Sequence, residues 1–177
     1  MLLFGLESPY AIPRIGRRLF PELRHPHLTR DLLGEQIQAC HAAGIRVPIY
    51  ITVGWDDIQR RAHPEWLERD EAGNPDGPGP GEPGFDQKLC LGSPYVDFVA
   101  AQTAEVLDRF PCDGFFFDIV YQKPCLCESC KARMAEQGMD PASPEDRVRN
   151  AEQVLDGFKA RMTGLVRKRA PEAGVFY

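Results

Sequence analysis

Apolar residues are distributed along the chain in two patterns: spacings of three and four, typical of amphipathic helices, and short continuous runs, typical of buried strands. The first helix is predicted to begin with Thr29 as its N-cap and to end at Gly44. Three residues share its apolar face: Leu33, Ile37 and Cys40. The apolar run that follows, RVPIYITV at 46–53, predicts a strand.

A second helix and strand repeat this order. The Ser93-Pro94 pair is typical of a helix start, because serine caps the first turn and proline suits the first helical position. The predicted buried face consists of Tyr95, Val99, Gln102 and Val106. The run GFFF at 114–117 then predicts a parallel strand covered on both faces.

Two further helices and a strand are predicted in the C-terminal third. A short helix ends at Gly138, and a long one begins near Ser143. Apolar residues of the long helix recur at spacings of three and four, which predicts a packed stripe of Val148, Ala151, Leu155, Phe158, Met162 and Leu165. The final GVFY at 174–177 predicts one more strand.

This order of elements is typical of an α/β fold in which parallel strands are joined by right-handed crossovers. It fits an open sheet or part of a (β/α)₈ TIM barrel. A complete barrel takes about 250 residues, and this chain ends within a strand-like segment. We therefore expect a single partial TIM-barrel domain over residues 1–177, about half of the barrel, truncated at its C-terminus, with N-terminal truncation left open.

Composition excludes several classes of protein. The chain has 177 residues, 43% of them hydrophobic, and a net charge of −5, which suits one globular core and argues against a nucleic-acid-binding domain. No apolar run approaches the roughly 18 residues of a bilayer span, and the opening MLLFGLE lacks the basic start of a signal peptide. We expect a cytoplasmic protein that binds neither nucleic acid nor membrane. A homo-oligomer is left open for the full-length protein.

Acidic residues follow two predicted strands, at the ends where α/β enzymes place their active sites. Asp118 follows the triple phenylalanine, on the side of Phe116 by strand alternation. Trp55 and Asp56 follow the preceding strand, next to Asp57. Carboxylates beside a ring that can stack on a pyranose predict a sugar site, with Asp118 catalytic and Trp55 and Asp56 binding substrate. The alternative is that Asp118 only ends its strand and caps a turn.

Other candidates for substrate binding lie in loops. The segment 55–92 is long and irregular, and a loop of that size in a compact domain is usually functional. His63 and Trp66 lie within it, although His63 also suits the start of a helical turn and tryptophan often anchors a loop to the core. His27 precedes the first helix, and Tyr121 follows the GFFF strand. All four are candidate sugar contacts.

The cysteines include a C-x-C-x₂-C motif formed by Cys125, Cys127 and Cys130. Thiols this close together in a reducing compartment more often bind a metal than form disulfides. A tetrahedral ion needs a fourth ligand. Cys40 is expected on a buried helix face and Cys112 at the amino end of its strand, whereas Cys90 ends the long loop on the same side of the sheet as the motif. The predicted ligands are Cys90, Cys125, Cys127 and Cys130.

Four thiolates leave no open coordination position, so this pattern predicts a structural zinc, and no cofactor is expected for catalysis. An iron–sulfur cluster takes the same ligands but is brown, whereas a zinc site is colourless. Uncoordinated buried cysteines are the other alternative.

With these residues in view, the sequence resembles hypothetical glycosyl hydrolase family 6, a bacterial group with a TIM-barrel fold. The matching stretches are HPHLTRDLLGEQIQACHAAGIRVPIYITVGWDD, HPEWLERDEAG, LCLGSPYVDFV and CDGFFFDIVYQKPCLCESC. They span most of the chain from His25 to Cys130, and the tail from Gly138 to Tyr177 also fits. The resemblance implies part of a glycoside hydrolase catalytic domain that acts on O-glycosidic bonds of an oligo- or polysaccharide.

A more distant similarity is to the family-42 β-galactosidases, whose zinc is held by an earlier cysteine and a C-x-C-x₂-C motif, which implies the same four cysteines here. Those enzymes end the fourth strand with Asn-Glu, the Glu serving as acid/base, whereas this sequence has Asp118-Ile119. Retaining α-fucosidases and α-galactosidases have a nucleophilic Asp at that position, which Asp118 matches better. Whether Asp118 is the nucleophile or the acid is left open. Two alternatives to a hydrolase also stay open: a carbohydrate-binding or zinc-stabilised structural module, and a redox or iron–sulfur protein.

Overall fold

Strands and helices alternate in the computed structural model, which describes residues 4–6, 31–77 and 87–177. In chain order the elements are β1 (Phe4–Leu6), α1 (Leu32–Ala42), β2 (Pro48–Thr52), α2 (Asp57–Ala62), a 3₁₀ turn (Pro64–Trp66), α3 (Tyr95–Arg109), β3 (Gly114–Asp118), α4 (Glu128–Glu136), α5 (Pro144–Arg169) and β4 (Gly174–Phe176).

The described strands form one parallel sheet in the order β1-β2-β3-β4. In its register Tyr50 lies opposite Phe116, and Thr52 lies opposite Asp118. Each pair of neighbouring strands is parallel, as expected for strands joined by helical crossovers. The α/β class is therefore confirmed, while closure into an eight-stranded barrel stays a prediction.

The ends of α1 show how local sequence sets the boundaries of these elements. Asp31 is the N-cap, since its carboxylate accepts a hydrogen bond from the Gly34 N–H at 3.3 Å. The predicted N-cap, Thr29, lies outside the described residues. Gly44 follows the helix with φ of +71°, the left-handed conformation that glycine adopts without strain.

The buried stripe of α5 differs in part from the predicted one. Val148 was expected in the core but is 47% exposed. Leu155 and Leu165 are only half-buried. The apolar residues that are buried are Ala151, Val154, Phe158, Met162 and Val166. The two sets share Ala151, Phe158 and Met162 and differ at adjacent positions, with Val154 buried in place of Leu155 and Val166 in place of Leu165.

The chain divides into two compact units. The first comprises Met1–Val53, Val99–Ile119 and Arg161–Tyr177, and it contains the whole described sheet. Four residues of β2 and β3 are buried on one face: Ile49, Ile51, Phe115 and Phe117. The ring of Phe117 also stacks on Tyr177, with 5.6 Å between ring centroids.

The other face of β2 and β3 is only half-covered, so the expectation of a strand buried on both faces is wrong for β3. Tyr50, Phe116 and Asp118 are all half-buried there. This face carries a phenol and a carboxylate, and such groups retain hydrogen bonds rather than apolar contacts. It is the face that the alternation from Phe116 predicted for Asp118.

A polar contact secures the amino end of β3. Asp113 accepts hydrogen bonds from the Val47 N–H at 2.6 Å and from the His41 ring at 2.9 Å. Partial burial acts to raise the pKa of Asp113, but the Val47 N–H and His41 outweigh it and hold the pKa below its usual value. The ionised carboxylate therefore stabilises this end of the strand.

The second unit comprises Gly54–Phe98 and Val120–Ala160. Its described part includes α2, the 3₁₀ turn and two antiparallel bridges, Leu67 with Leu89 and Arg69 with Pro75. Within residues 55–77 and 87–92, backbone pairing thus replaces part of the irregular loop that the sequence predicted. The buried apolar residues here include Leu67, Leu89, Met134, Val154 and Phe158.

Across the described ranges, no helix combines the length and apolar character needed to cross a bilayer.

Candidate functional site

Asp118 is the last residue of β3 and belongs to the first unit. The hydroxyl of Tyr50, on the neighbouring strand β2, donates a hydrogen bond to its Oδ2. The backbone carbonyl of Asp118 accepts a hydrogen bond from the Val53 N–H at 3.1 Å. Both the backbone and the carboxylate are therefore fixed at the carboxyl end of a parallel strand, where α/β proteins form ligand sites.

The residue after Asp118 has an unusual backbone conformation. Ile119 has φ of +59°, and among the described residues it is the one non-glycine residue with a positive φ. This conformation is costly for a β-branched side chain, by about 1–3 kcal/mol. Such strain persists where the surrounding structure requires it, and it clusters at functional sites. It turns the chain sharply just beyond the carboxylate.

Trp55 and Tyr121, both predicted sugar contacts, meet in the second unit. Their ring centroids are 5.7 Å apart with the rings tilted by 57°. Both side chains are half-buried, so each keeps an accessible part. Paired rings of this kind offer an apolar surface with polar tips, a surface that suits the face of a sugar.

A buried ion pair, not anticipated from the sequence, lies beside this aromatic pair. The Lys88 Nζ is 2.8 Å from Glu68 Oε1, and both side chains are 2% exposed. The same Nζ donates a hydrogen bond to the backbone carbonyl of Tyr121 at 2.7 Å and lies 4.4 Å from the centroid of its ring. Burial raises the pKa of Glu68, although Lys88 opposes this effect.

Asp56 is buried, and its carboxylate accepts hydrogen bonds from the backbone of the helix that follows it. Its Oδ1 accepts hydrogen bonds from the Ile58 N–H at 3.1 Å and the Gln59 N–H at 2.9 Å, so Asp56 is the N-cap of α2. Burial raises its pKa, while these two N–H groups act against that rise. Sugar binding by Asp56 stays a prediction.

His63 and Trp66 pair with each other at the 3₁₀ turn. Their rings are stacked with centroids 3.7 Å apart, and His63 Nδ1 is 3.1 Å from Glu65 Oε1. Proline after His63 starts the turn, as one of the two sequence readings expected. Both rings are half-buried. The remaining sugar-contact candidate, His27, lies outside the described residues.

The four predicted cysteines come together in the second unit. All four are buried, and their sulfur atoms lie within 4.8 Å of one another. We call Cys90, Cys125, Cys127 and Cys130 the four-cysteine cluster. Four sulfurs about 2.3 Å from a tetrahedral ion would be about 3.8 Å apart. The cluster is therefore compact enough to hold a metal ion.

Backbone N–H groups point at these sulfurs, as expected for thiolates. The Arg69 N–H donates to Cys125 Sγ at 3.4 Å, the Cys127 N–H donates to the same sulfur at 3.3 Å, and the Gly92 N–H donates to Cys90 Sγ at 3.3 Å. Such bonds favour the charged form of a thiol. Hydrogen bonds among the sulfurs, with Cys125 the largest contributor, lower the pKa of Cys127 and raise that of Cys130.

The other two cysteines do not belong to the cluster, and Cys40 is half-buried rather than buried as predicted. Cys40 is on α1, and Cys112 precedes β3, both in the first unit. Burial raises the pKa of Cys112 to about 11. At neutral pH this thiol stays protonated, so it has the character of a small packing residue rather than a ligand.

Three polar residues of these sites were missed by sequence reasoning. Tyr50 could have been found, because the alternation of β2 and the position of its partner Phe116 place it on the face of Asp118. Lys88 and Glu68 are 20 positions apart with no motif around them. A pair made by tertiary contact leaves no periodic signal in the chain.

Comparison with known families identifies a match over a region that includes β2 and β3. The sequence profile described as hypothetical glycosyl hydrolase 6 matches residues 17–119, more than half of the 177. No curated protein matches the chain.

Solved structures of sugar-active proteins resemble the chain in fold. An α-L-fucosidase isoenzyme 2 from Paenibacillus thiaminolyticus superposes with a TM-score of 0.80 and 38% identity, over 86% of this chain and 23% of the fucosidase. A β-galactosidase from Marinomonas ef1 gives a TM-score of 0.67 with 15% identity, over 99% of this chain and 32% of that enzyme. The glycoside hydrolase domain of PgaB from Bordetella bronchiseptica gives a TM-score of 0.61 with 16% identity, over 84% of this chain and 46% of that domain's chain.

Proposed function

The chain belongs to the hypothetical glycosyl hydrolase 6 family, and on that basis we propose that it forms part of a glycoside hydrolase catalytic domain with Asp118 as the nucleophile. The observation that carries the proposal is the setting of Asp118. It ends a strand flanked by two others, accepts a hydrogen bond from Tyr50 and precedes the left-handed Ile119. A carboxylate held in this way is suited to attack a carbon centre rather than to fill a surface turn.

The proposed chemistry proceeds in two steps. An oxygen of Asp118 forms a bond to the anomeric carbon while the glycosidic C–O bond breaks, and a second carboxyl group protonates the departing oxygen. Water, deprotonated by that second group, then displaces Asp118 and releases the sugar with retained configuration. Tyr50 holds Oδ2, which leaves Oδ1 to attack. The second carboxyl group should lie about 5–5.5 Å from Asp118, and we assign it to no residue of this chain.

An α-L-fucoside is the proposed substrate. The support is the identity of 38% with an α-L-fucosidase over most of this chain. The β-galactosidases are 15% identical or less and support the fold alone. A β-D-galactoside is therefore the appropriate comparison substrate. Trp55 and Tyr121 are the proposed sugar-binding rings.

The four-cysteine cluster is proposed to hold a structural zinc. Four buried thiols with converging N–H donors match the closed, four-sulfur coordination typical of such sites. Zinc there would join the segment around Cys90 to the segment around Cys125 and supply no chemistry to the reaction. Metal analysis and the absence of colour distinguish it from an iron–sulfur cluster.

Hydrolysis by the purified full-length protein tests the proposal. We expect release of 4-nitrophenol from 4-nitrophenyl α-L-fucopyranoside in preference to the β-D-galactopyranoside. Asp118→Asn should lower kcat by at least about 10³-fold while binding of the substrate persists. Asp113→Asn is the matched control, because it removes an acid from the opposite end of the same strand. Unchanged kcat in Asp118→Asn would refute the catalytic role.

A chemical rescue separates the nucleophile from the acid. In Asp118→Gly, azide can occupy the vacated space and attack the anomeric carbon in place of the carboxylate. A nucleophile variant should then regain activity and yield a glycosyl azide of inverted configuration. A product of retained configuration would instead assign Asp118 as the acid/base.

A further inference from the structure

We propose that Lys88 is a positioning residue that holds Tyr121 against Trp55 and so builds a rigid aromatic wall for the sugar. This inference rests on the proposed function. It concerns residues of the second unit alone, and it adds Lys88 and its partner Glu68 to the residues that govern substrate affinity.

Three contacts converge on the Lys88 ammonium group. It donates to the Tyr121 carbonyl at 2.7 Å, lies 4.4 Å from the centroid of the Tyr121 ring, and pairs with Glu68 Oε1 at 2.8 Å. The carbonyl contact fixes the backbone of Tyr121, and the cation–π contact fixes its ring. One buried cation therefore restrains both the backbone and the ring of Tyr121.

The stem of Lys88 also lies close to Gly54, the residue directly before Trp55. A Cβ on Gly54 would lie 3.0 Å from Lys88 Cε and 3.1 Å from its Cγ, and Gly54 has φ of +92°. Glycine at this position, directly before Trp55, lets the lysine stem approach the backbone. Lys88 therefore contacts Tyr121 directly and the backbone next to Trp55, whose ring lies 5.7 Å from that of Tyr121.

Stability alone does not account for this pair. Two charges that are 2% exposed lose most of their hydration, and Glu68 Oε2 has no hydrogen-bond partner among the described residues. A buried ion pair can commonly be replaced by apolar residues of similar volume with no loss of stability. The charge on Lys88 is better explained by what it holds, the carbonyl and ring of Tyr121.

The chain after Tyr121 is anchored independently of Lys88. The Gln122 side chain accepts from the Leu91 N–H at 2.9 Å, and the Leu126 N–H donates to the Arg69 carbonyl at 2.9 Å. Removal of Lys88 should therefore release Tyr121 without unfolding the segment that leads to the four-cysteine cluster.

The test variant removes both charges together, so that no buried charge is left alone. Glu68→Leu/Lys88→Met keeps similar volumes and should retain the melting temperature and metal content of the natural protein. We expect KM for 4-nitrophenyl α-L-fucopyranoside to rise about three- to tenfold with kcat little changed, because only binding by the aromatic wall is lost. Lys123→Met is the matched control, since Lys123 also forms an ion pair, with Asp76 at 2.6 Å, but is half exposed.

A measurement without sugar separates this inference from the proposed function. In a Trp66→Phe variant of the 177-residue chain, which has two tryptophans, Trp55 alone remains, and its quenching by acrylamide reports the packing of its ring. Quenching should increase in the double variant and not in Lys123→Met. Unchanged quenching in the double variant would overturn the positioning role of Lys88, whether or not the protein cleaves fucosides. An unchanged KM in an active protein would overturn it equally.

A second variant keeps the test decisive if the first does not fold. Glu68→Gln/Lys88→Gln retains polar side chains that can pair with each other, yet it removes the cation from the Tyr121 ring. The same increase in Trp55 quenching is expected. If the folded variant shows the same quenching as the natural protein, the inference is refuted.

Discussion

Gly114→Ala tests whether the pairing of β3 with β4 is as close as the structure describes. Gly114 begins the strand that ends at Asp118, and it lies opposite Gly174. A Cβ at Gly114 would stand 2.3 Å from the Gly174 carbonyl oxygen and 2.9 Å from its nitrogen. Ordinary contact needs about 1 Å more, and the atoms in the way are backbone, which cannot rotate aside.

The loss of folding free energy in Gly114→Ala follows from the displacement of β4 that the added Cβ requires. Forced overpacking costs about 1–3 kcal/mol. Displacement of β4 also strains the hydrogen bond from the Gly174 N–H to the Asp113 carbonyl, 2.9 Å long, and leaving such backbone groups without partners costs about 1–3 kcal/mol. We expect Gly114→Ala to lower the free energy of unfolding by about 3 kcal/mol.

Gly164→Ala is the matched control. Gly164 is exposed in the middle of α5, and a Cβ there would meet no atom within 4 Å. Alanine should stabilise the helix by about 0.5–1 kcal/mol. Urea unfolding followed by circular dichroism measures both changes. If Gly114→Ala is as stable as the natural protein, or if the two substitutions shift stability in the same direction, the described strand pairing is wrong.

Three further outcomes are expected. Asp113→Asn should lower the free energy of unfolding by about 1 kcal/mol at neutral pH. Because folding lowers the pKa of Asp113, this difference between the variant and the natural protein is present above the unfolded pKa of about 3.8 and should vanish as pH falls through the lower folded-state pKa. Urea unfolding at several pH values measures it, and a difference that does not change with pH would refute the argument. Cys127→Ser should lower zinc content, measured by mass spectrometry, and stability by at least about 3 kcal/mol; full stability without metal would argue against a structural ion. Cys112, with its pKa of about 11, should react slowly with iodoacetamide at pH 8, and rapid labelling would contradict its burial.

The parts of the fold that the sequence predicted are those with local signals. Strand runs such as PIYIT and GFFFD, the cap at Ser93 and the glycine after α1 all depend on residues within a few positions, and these elements lie where expected. Cys90 also lies beside the other three cysteines, as expected from the topology that decides which strand end a loop reaches, while its role as a metal ligand stays a prediction.

The parts that escaped prediction depend on contacts between distant residues. Part of the α5 stripe was misplaced because Val154 and Leu155, like Leu165 and Val166, are adjacent apolar residues, and only packing against distant residues decides which of each pair is buried. The cap that Asp56 forms on α2 was not predicted, and sugar binding by Asp56 stays a prediction. The sequence carries no signal for the burial of Lys88 and Glu68, since that burial arises only when the two segments pair.

Covalent trapping tests the assignment of Asp118 most directly. A 2-deoxy-2-fluoro-L-fucosyl fluoride slows both steps of a retaining reaction but keeps a good leaving group, so the sugar should accumulate on the nucleophile. Peptide mapping by mass spectrometry of the full-length protein should then find one fluorofucosyl group, attached to Asp118. A label on another carboxylate, or steady turnover with an unmodified Asp118, would show that the nucleophile lies elsewhere.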